Sequence, residues 1–373
     1  MHELTSRKFR FFSFLSMILL VFVHGYNLND AYLQPFTLVH EPFTFTTFFE
    51  YLTANGLFRF RIPLLFVISG YLFALHDEQP HKTRIKKRVR TLVIPYLFWS
   101  AFALLITFIG QQFPVTAKAI YNAQIDQLGD NRLYTEIGWG GLLKRWTLTP
   151  VAFQLWFIRV LFVYNVLYPW LKKAVLNAPV LSFSIGVFLW VSMMGLHFLE
   201  GEGLLFFSLG IWLCKNNYDP EHIPRRLNLK WVAPIFFTGA VVKTCLAFYL
   251  PPVFGSYLLL LLLHKIVVFT GLVTCWYGLN TIVQYLMQRR WFAELTAFSF
   301  IIYALHVPLV NYLHHLLKPF LDHLPYYRLL DYCLLPSITI VLCIVTGMSL
   351  RKGLPRLYGF ATGGRGVVPI KNL

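Results

Sequence analysis

The residues best suited to chemistry are ionisable side chains set inside, or at the edges of, long apolar runs. His24 closes one run in Val-Phe-Val-His-Gly-Tyr-Asn, and His306 lies within Ser-Phe-Ile-Ile-Tyr-Ala-Leu-His-Val-Pro. Imidazole titrates near neutral pH, so either ring can accept or deliver a proton. Each also has a plainer reading, as a hydrogen-bonding group between neighbouring helices. Pro308, two residues after His306, frees a backbone carbonyl and can kink a helix there. Arg59 and Arg61 open the run Phe-Arg-Phe-Arg-Ile-Pro-Leu-Leu-Phe-Val. They either snorkel to lipid headgroups or face the protein interior. Arg159, in Leu-Trp-Phe-Ile-Arg-Val-Leu, stands about two helical turns inside its run, which favours a cavity or a partner. Lys243, His264 and Lys265 offer a further polar patch, but no spacing links them to the others. Glu294 suits the start of a helix. The run Lys82-Thr-Arg-Ile-Lys-Lys-Arg-Val-Arg90 is either a topology determinant or a phosphate site, since arginine presents a bidentate fork to phosphate oxygens.

Composition indicates what must hold these groups. Of 373 residues, 57% are hydrophobic, 18% aromatic and 13% charged, yet the formal charge is +17. Soluble globular chains carry roughly 25% charged residues. The basic residues sit between apolar runs, which excludes a soluble nucleic-acid binder, and the apolar content excludes a disordered chain. The class is all-α, a polytopic membrane protein. A spanning helix needs about 20 mainly apolar residues. Ten stretches qualify, near 9–27, 57–76, 91–110, 152–171, 180–199, 203–216, 231–250, 256–277, 292–313 and 331–350. The first imitates a signal peptide, but it lacks a small-x-small cleavage site and more spans follow, so it reads as a retained helix. Cys214, Cys245, Cys275, Cys333 and Cys343 form no CxxC pair and read as small core hydrophobes; no metal site is expected.

Orientation follows from the Lys/Arg bias. With the N-terminus in the cytoplasm and ten alternating spans, the inner segments hold 22 of the 33 basic residues: Arg7, Lys8, Arg10, the six in 82–90, Lys172, Lys173, Lys215, Arg225, Arg226, Lys230, Arg289, Arg290, Arg351, Lys352, Arg356, Arg365 and Lys371. Outer loops hold Lys118, Arg132, Lys144, Arg145, Lys318 and Arg328. Both termini are then cytoplasmic, with one membrane domain over 1–350 and a cytoplasmic tail over 351–373. The longest outer segments, 28–56 and 111–150, suit short interfacial helices or a cover for a cavity that opens outward. In the first helix each residue turns ~100° and rises ~1.5 Å. His24 and Ser13 therefore share a face, roughly 16 Å apart, and Arg10 lies about 40° off that line near the cytoplasmic end.

Taken together, these segments resemble acyltransferase family 3, the integral-membrane O-acyltransferases that modify surface polysaccharides. The resemblance rests on five stretches in order: Val-Phe-Val-His24, Phe66-Val-Ile-Ser-Gly-Tyr-Leu72, the basic loop leading to Ile94-Pro-Tyr-Leu-Phe-Trp99, Leu155-Trp-Phe-Ile-Arg159, and Ser299-Phe-Ile-Ile-Tyr-Ala-Leu-His306. It implies transfer of an acyl group, usually acetyl, from cytoplasmic acyl-CoA to a hydroxyl beyond the membrane. His24 matches the family's first-span catalytic histidine, as general base or as an acyl relay. The family often carries arginine eleven residues earlier; here that position is Ser13, with Arg10 as a substitute. The family's arginine pair after the second span is matched loosely by Arg84, Lys87, Arg88 and Arg90. The resemblance thus implies a donor site drawn from Arg10, Ser13, Arg84, Lys87, Arg88 and Arg90. Acetyl-CoA would be a substrate, with no cofactor bound permanently. The oxyanion would need a donor, for which Arg61, Arg159 and Tyr303 are candidates, and His306 would orient the acceptor or His24. The implied partners are membrane lipid, acyl-CoA and a carbohydrate or lipid-linked glycan acceptor, at the cell membrane. A rival reading is a transporter or exporter of a glycan or small organic acid using the same intramembrane charges. No inverted-repeat halves support it. A third reading, an inactive scaffold, is motivated by Ser13.

Overall fold

A computed structural model describes residues 3–26, 34–130, 132–196, 198–224 and 227–366. Arg225, Arg226 and Lys371, counted above among the inner charges, lie outside the described residues, as does the end of the tail from 367. In chain order the helices are α1 (Glu3–Gly25), α2 (Phe45–Tyr51), α3 (Arg61–Leu75), α4 (His81–Arg88), α5 (Ile94–Gly110), α6 (Pro114–Ala123), α7 (Trp139–Thr147), α8 (Trp156–Asn177), α9 (Pro179–Val191), α10 (Gly201–Lys215), α11 (Leu229–Tyr249), α12 (Phe254–Gly278), α13 (Asn280–Gln288), α14 (Arg290–Leu295), α15 (Ser299–Leu321), α16 (Tyr327–Gly353) and α17 (Pro355–Thr362). Wider π-helical turns follow α2 (Leu52–Leu57) and α4 (Val89–Val93), and a two-stranded antiparallel hairpin, β1 (Gly195–Leu196) and β2 (Leu199–Glu200), joins α9 to α10.

The chain is a helical, polytopic membrane protein. Among the described residues, seven helical stretches are long and apolar enough to cross a bilayer: Glu3–Gly25, Phe45–Leu75, His81–Gly110, Leu229–Tyr249, Phe254–Gly278, Arg290–Leu321 and Tyr327–Gly353. They coincide with seven of the ten expected spans. The remaining three expected spans are helical too, but α8 and α9 pass only together, as a pair bent by 119°, which raises the count to eight. Pro179 at the start of α9 marks that bend. The 15 residues of α10 reach about 22 Å, short of a ~30 Å hydrocarbon core. Exposed apolar side chains recur at helical spacing, as with Leu334, Ile338, Val341, Leu342, Val345 and Met348 on α16. In water such a stripe would be an aggregation site; facing lipid it costs nothing.

Backbone contacts group the chain into two compact units. The first comprises Met1–Ile85 and Val160–Thr296, and the second Lys86–Arg159 and Ala297–Leu373.

In the first unit, α1 meets the α3 segment through Phe9 on Tyr71 (ring centroids 5.4 Å apart) and Phe22 on Phe58 (6.4 Å). The partners run in opposite order, so the two segments are antiparallel. Packing of α3 on α10 needs two glycines: a Cβ at Gly70 would overlap the Phe207 carbonyl, and one at Gly210 the Val67 carbonyl. Backbones this close are the usual product of small residues in membrane helices. After α3, Asp77 accepts hydrogen bonds from Lys172 (2.6 Å), Lys215 (2.5 Å) and Tyr168 (2.9 Å), tying that end of α3 to α8 and α10. Burial alone would raise the Asp77 carboxyl, but these three donors outweigh it and hold it well below the usual carboxylate range.

In the second unit, Ile125, Tyr134, Ile137, Val151 and Tyr312 form an apolar core. Buried Arg145 pairs with Asp126 (2.6 Å) and Asp130 (3.2 Å). Thr107 and Tyr312 share a hydrogen bond (2.8 Å) that joins α5 to α15. Segment 111–150 does carry two short helices, α6 and α7.

Two predictions follow from these contacts. Gly70→Ala and Gly210→Ala should each destabilise the protein by ~1–3 kcal/mol through overpacking, read as a lower melting temperature in detergent. Gly138→Ala, at a position with open space around it, should leave melting unchanged, and equal behaviour of all three would refute the close-packing account. A carboxyl depressed in the folded state stabilises above its unfolded pKa of ~3.9 and loses that contribution as pH falls towards the folded value. Asp77→Asn should therefore melt lower than the parent protein at pH 7, with the difference shrinking below about pH 4.

Candidate functional site

His24 is the half-buried imidazole in the last turn of α1. Continuing the α1–α3 register two residues beyond Phe22 and Phe58 brings it level with Gly56, in the wide turn Leu52–Leu57 against which α1 packs. Widening a helix and then ending it releases backbone carbonyls. Arg59 Nε donates to the Ala54 carbonyl (2.9 Å), and its Nη2 to Asn55 Oδ1. Lys243 Nζ donates to the carbonyls of Asn55 (2.7 Å) and Pro35 (2.5 Å). Arg61 Nη1 donates to the Phe58 carbonyl (2.8 Å). Lys243, which no spacing linked to the arginines, thus meets Arg59 at Asn55.

The rest of the polar patch joins this cluster. His264 is buried within electrostatic reach of Lys243, Arg59 and Lys265. Glu202 lies within reach of Lys265, Arg59 and Arg61, and accepts a hydrogen bond from Trp190 Nε1 (3.0 Å). Glu200 neighbours Glu202 and Lys265. Neither glutamate stood out in the sequence. The available signal was two acids at the mouth of an apolar run in a chain poor in acids. Together these groups can hold an imidazole beside fixed positive charge, an arrangement that favours negative charge as it develops.

The second unit contains the other histidine. Val307 leaves helical geometry (φ −110, ψ 130), and Pro308 has no N–H to give to the Ala304 carbonyl. Gln154 supplies the missing donor: its Nε2 reaches the carbonyls of Val307 (3.0 Å), Ala304 (3.2 Å) and Tyr303 (3.3 Å). In return, Tyr303 Oη donates to the Gln154 carbonyl (2.7 Å). The expected kink is present, and Gln154, which sequence reasoning missed, completes it. His306 is fully buried with Nδ1 2.9 Å from the Ile302 carbonyl. A carbonyl can only accept, so Nδ1 carries a proton, and Nε2 is the nitrogen at which the ring can take up or release one. Arg159 donates to the Leu148 carbonyl and to Tyr96, which in turn lies within electrostatic reach of Tyr303.

Of the expected donor residues, Arg10, Ser13 and Arg84 belong to the first unit and Lys87, Arg88 and Arg90 to the second. Arg10 Nη2 is held by the Ala293 carbonyl (3.2 Å) and Thr296 Oγ1 (3.3 Å). Ser13 is half-buried on the same helix. Arg84 is buried, donates to the Phe73 carbonyl and stacks on Phe73 (3.8 Å) and Tyr168 (4.6 Å). It also lines an open cleft of about 440 Å³ with His81, Lys172 and Lys173. Lys87 and Arg90 are exposed, while Arg88 is half-buried and close to Arg365.

A family model described as an acyltransferase domain matches residues 11–348, from the first turns of α1 to the last turns of α16. The chain belongs to this acyltransferase family. No curated protein and no solved structure matches it significantly. Family membership supports acyltransferase activity for this membrane protein, and the matched span encloses every site residue named above except Arg10 and Arg365. For the kinked helix of this acyltransferase, Gln154→Leu should leave the Ala304 and Val307 carbonyls without their donor. The expected cost is about 1–3 kcal/mol, seen as a lower melting temperature than that of Gln111→Leu at the α5 end.

Proposed function

We propose that the protein is a membrane O-acyltransferase that moves an acyl group, acetyl first among candidates, from cytoplasmic acyl-CoA to a hydroxyl of an extracytoplasmic glycan or other exported acceptor. The observation that carries this reading is the acyltransferase match over a chain whose first helix ends in an imidazole and packs on the wide turn that holds Arg59 and Lys243. Counting α8, α9 and α10 as crossings gives ten spans with both termini in the cytoplasm of the cell membrane, which is the arrangement the distribution of basic residues favours.

A sugar hydroxyl is a weak nucleophile until a base takes its proton. His24 accepts that proton as the hydroxyl oxygen bonds to the thioester carbonyl carbon. The carbonyl electrons move onto oxygen, and the tetrahedral intermediate collapses with loss of the C–S bond. The leaving coenzyme A thiolate takes the proton back. In the relay variant the imidazole carries the acyl group itself between the two steps. Arg61 answers the oxyanion in this scheme, and Arg159 and Tyr303 are the corresponding donors of the second unit. His306 serves the acceptor through its basic Nε2. The donor's phosphates fall to Lys87, Arg88 and Arg90, because arginine and lysine at an inner mouth suit a polyanion. Arg10, one turn from Ser13, supplies positive charge on the His24 face of α1.

His24→Ala, purified and shown to melt like the parent protein, should lose acetyl transfer from radiolabelled acetyl-CoA by ~10²–10⁴-fold. Undiminished transfer would remove His24 from the chemistry. Failure of the parent protein to consume acetyl-CoA under any acceptor would instead favour a transport role.

A further inference from the structure

The open cleft of about 440 Å³ beside the α3–α4 corner carries charges that do not balance. Asp77, His81 and Arg84 line one side, and Tyr168, Lys172 and Lys173 of α8 line the other, all within the first unit. Among the described residues Asp77 is the only acid in this wall, and Lys172 and Lys215 already pair with it (2.6 and 2.5 Å). Glu78, next along the chain, is exposed and lies outside the wall. Four cations around one carboxylate leave a surplus of positive charge.

The wall is also fixed in place. Arg84 is 6% exposed, donates to the Phe73 carbonyl and lies against the rings of Phe73 and Tyr168. His81 rests edge-on against Phe73 (6.5 Å), and its Nδ1 is buried without a hydrogen-bond partner. A buried ring nitrogen left unpaired costs free energy that a ligand oxygen offsets by accepting its proton. A held guanidinium, two lysines and this imidazole together suit a phosphoryl group.

The next helix narrows the kind of phosphate. The chain bends by 119° between α8 and α9. The face of α9 that begins there is a shallow apolar trough of about 680 Å³, lined by Val180, Phe183, Ser184, Val187, Phe188 and Val191. Spacings of three and four residues put these side chains on one face. Asn177 of the cleft and Val180 of the trough are three residues apart, so their Cα atoms are separated by at most ~11 Å. The trough runs ~16 Å along the helix, about one leaflet of a ~30 Å hydrocarbon core. Exposed Trp170, beside the cleft residue Pro169, is of the type that seats at headgroup level. Any lipid-facing helix accepts acyl chains; a cationic cleft at the start of this one selects among their headgroups. A soluble phosphate would fill the cleft and leave the trough unused, whereas an anionic lipid fills both.

We propose that His81, Arg84, Lys172 and Lys173 bind the phosphate of an anionic phospholipid whose acyl chain lies along the α9 trough. The lipid would brace the α3–α4 corner against the α8–α9 bend. The site is independent of the acyl-transfer reading and stands without it.

Full-length protein in detergent is titrated with dioleoyl phosphatidylglycerol, dioleoyl phosphatidylcholine, dihexanoyl phosphatidylglycerol, acetyl-CoA and inorganic phosphate, and bound ligand is read by native mass spectrometry. The parent protein should prefer dioleoyl phosphatidylglycerol to both other lipids. Lys173→Gln combined with His81→Ala, shown to melt like the parent without lipid, should weaken that binding by about tenfold or more. Phe188→Ala should narrow the preference for the long chain. Lys86→Gln, at an exposed cation outside the cleft, should bind like the parent. Equal affinity in parent and double variant overturns the proposal, and so does equal loss in Lys86→Gln, which would reduce the effect to surface charge. Binding of acetyl-CoA or inorganic phosphate that falls in the double variant to the same degree makes the cleft a site for soluble phosphates and overturns the lipid assignment. Should the double variant misfold, Lys173→Gln alone, at an exposed side chain, decides by the same comparison.

Discussion

A cation taken out of water must be given a fixed acceptor, and this chain has 33 lysines and arginines against 16 carboxylates. Helix carbonyls make up the difference. Arg59 is held by Ala54, Lys243 by Asn55, Arg61 by Phe58, Arg84 by Phe73, Arg159 by Leu148, Arg10 by Ala293 and Arg365 by Thr91. These carbonyls sit where helices widen, end or approach their ends, which is where the backbone has acceptors to spare. The irregular turns and the buried cations therefore stabilise each other. Straightening Leu52–Leu57 into regular helix would strand Arg59 and Lys243, and neutralising those side chains would strand the turn.

The same constraint shapes what each cation has left to offer. Asp77 shows the saturated case, in which two lysines and a tyrosine converge on one carboxylate and the result is a structural knot. A carbonyl, by contrast, satisfies one or two N–H groups and carries no full charge. An arginine held by carbonyls stays fixed in place yet keeps donors and net charge for something else. That is the condition a binding or oxyanion group requires, because its position must be set before the ligand arrives. Carbonyl-held arginines recur beside both histidine-bearing helices and at the end of α17, and Arg84 is further enclosed by the rings of Phe73 and Tyr168.

Much of this was legible in the sequence where the cause is local. Apolar run length gave the helices, Pro308 gave the kink before which His306 sits, and the ordered motifs gave the family. Long-range groupings were not legible. Lys243, His264 and Lys265 join Arg59 and Arg61 across four separate elements, and no spacing rule connects residue 55 with residue 243. Gln154 looked like an ordinary polar residue at a helix start, because its task is set by a proline 154 residues later. The run 82–90 read as one basic cluster, yet burial sorts it side chain by side chain: Arg84 is packed between rings, Lys87 and Arg90 are exposed, and Arg88 is half-buried within electrostatic reach of Arg365. At α8–α10 the helices depart from straight apolar spans for a related reason. Hydropathy measures apolar length, and it cannot see a 119° bend at Ala178–Pro179 or a hairpin that ends α9 early.

The departure at position 13 can be read in the same terms. An arginine there would stand one turn above Arg10 on α1, and each would need carbonyls of its own. Arg10 already uses the acceptors that the α14 end provides, the Ala293 carbonyl and the Thr296 hydroxyl. It does so through Nη2 alone, which leaves the rest of the guanidinium and its charge on the side of α1 that leads to His24. Ser13 is half-buried and needs no such partner. Arg10 is thus the arginine near this face, seated a turn deeper than position 13, where a helix end can hold it.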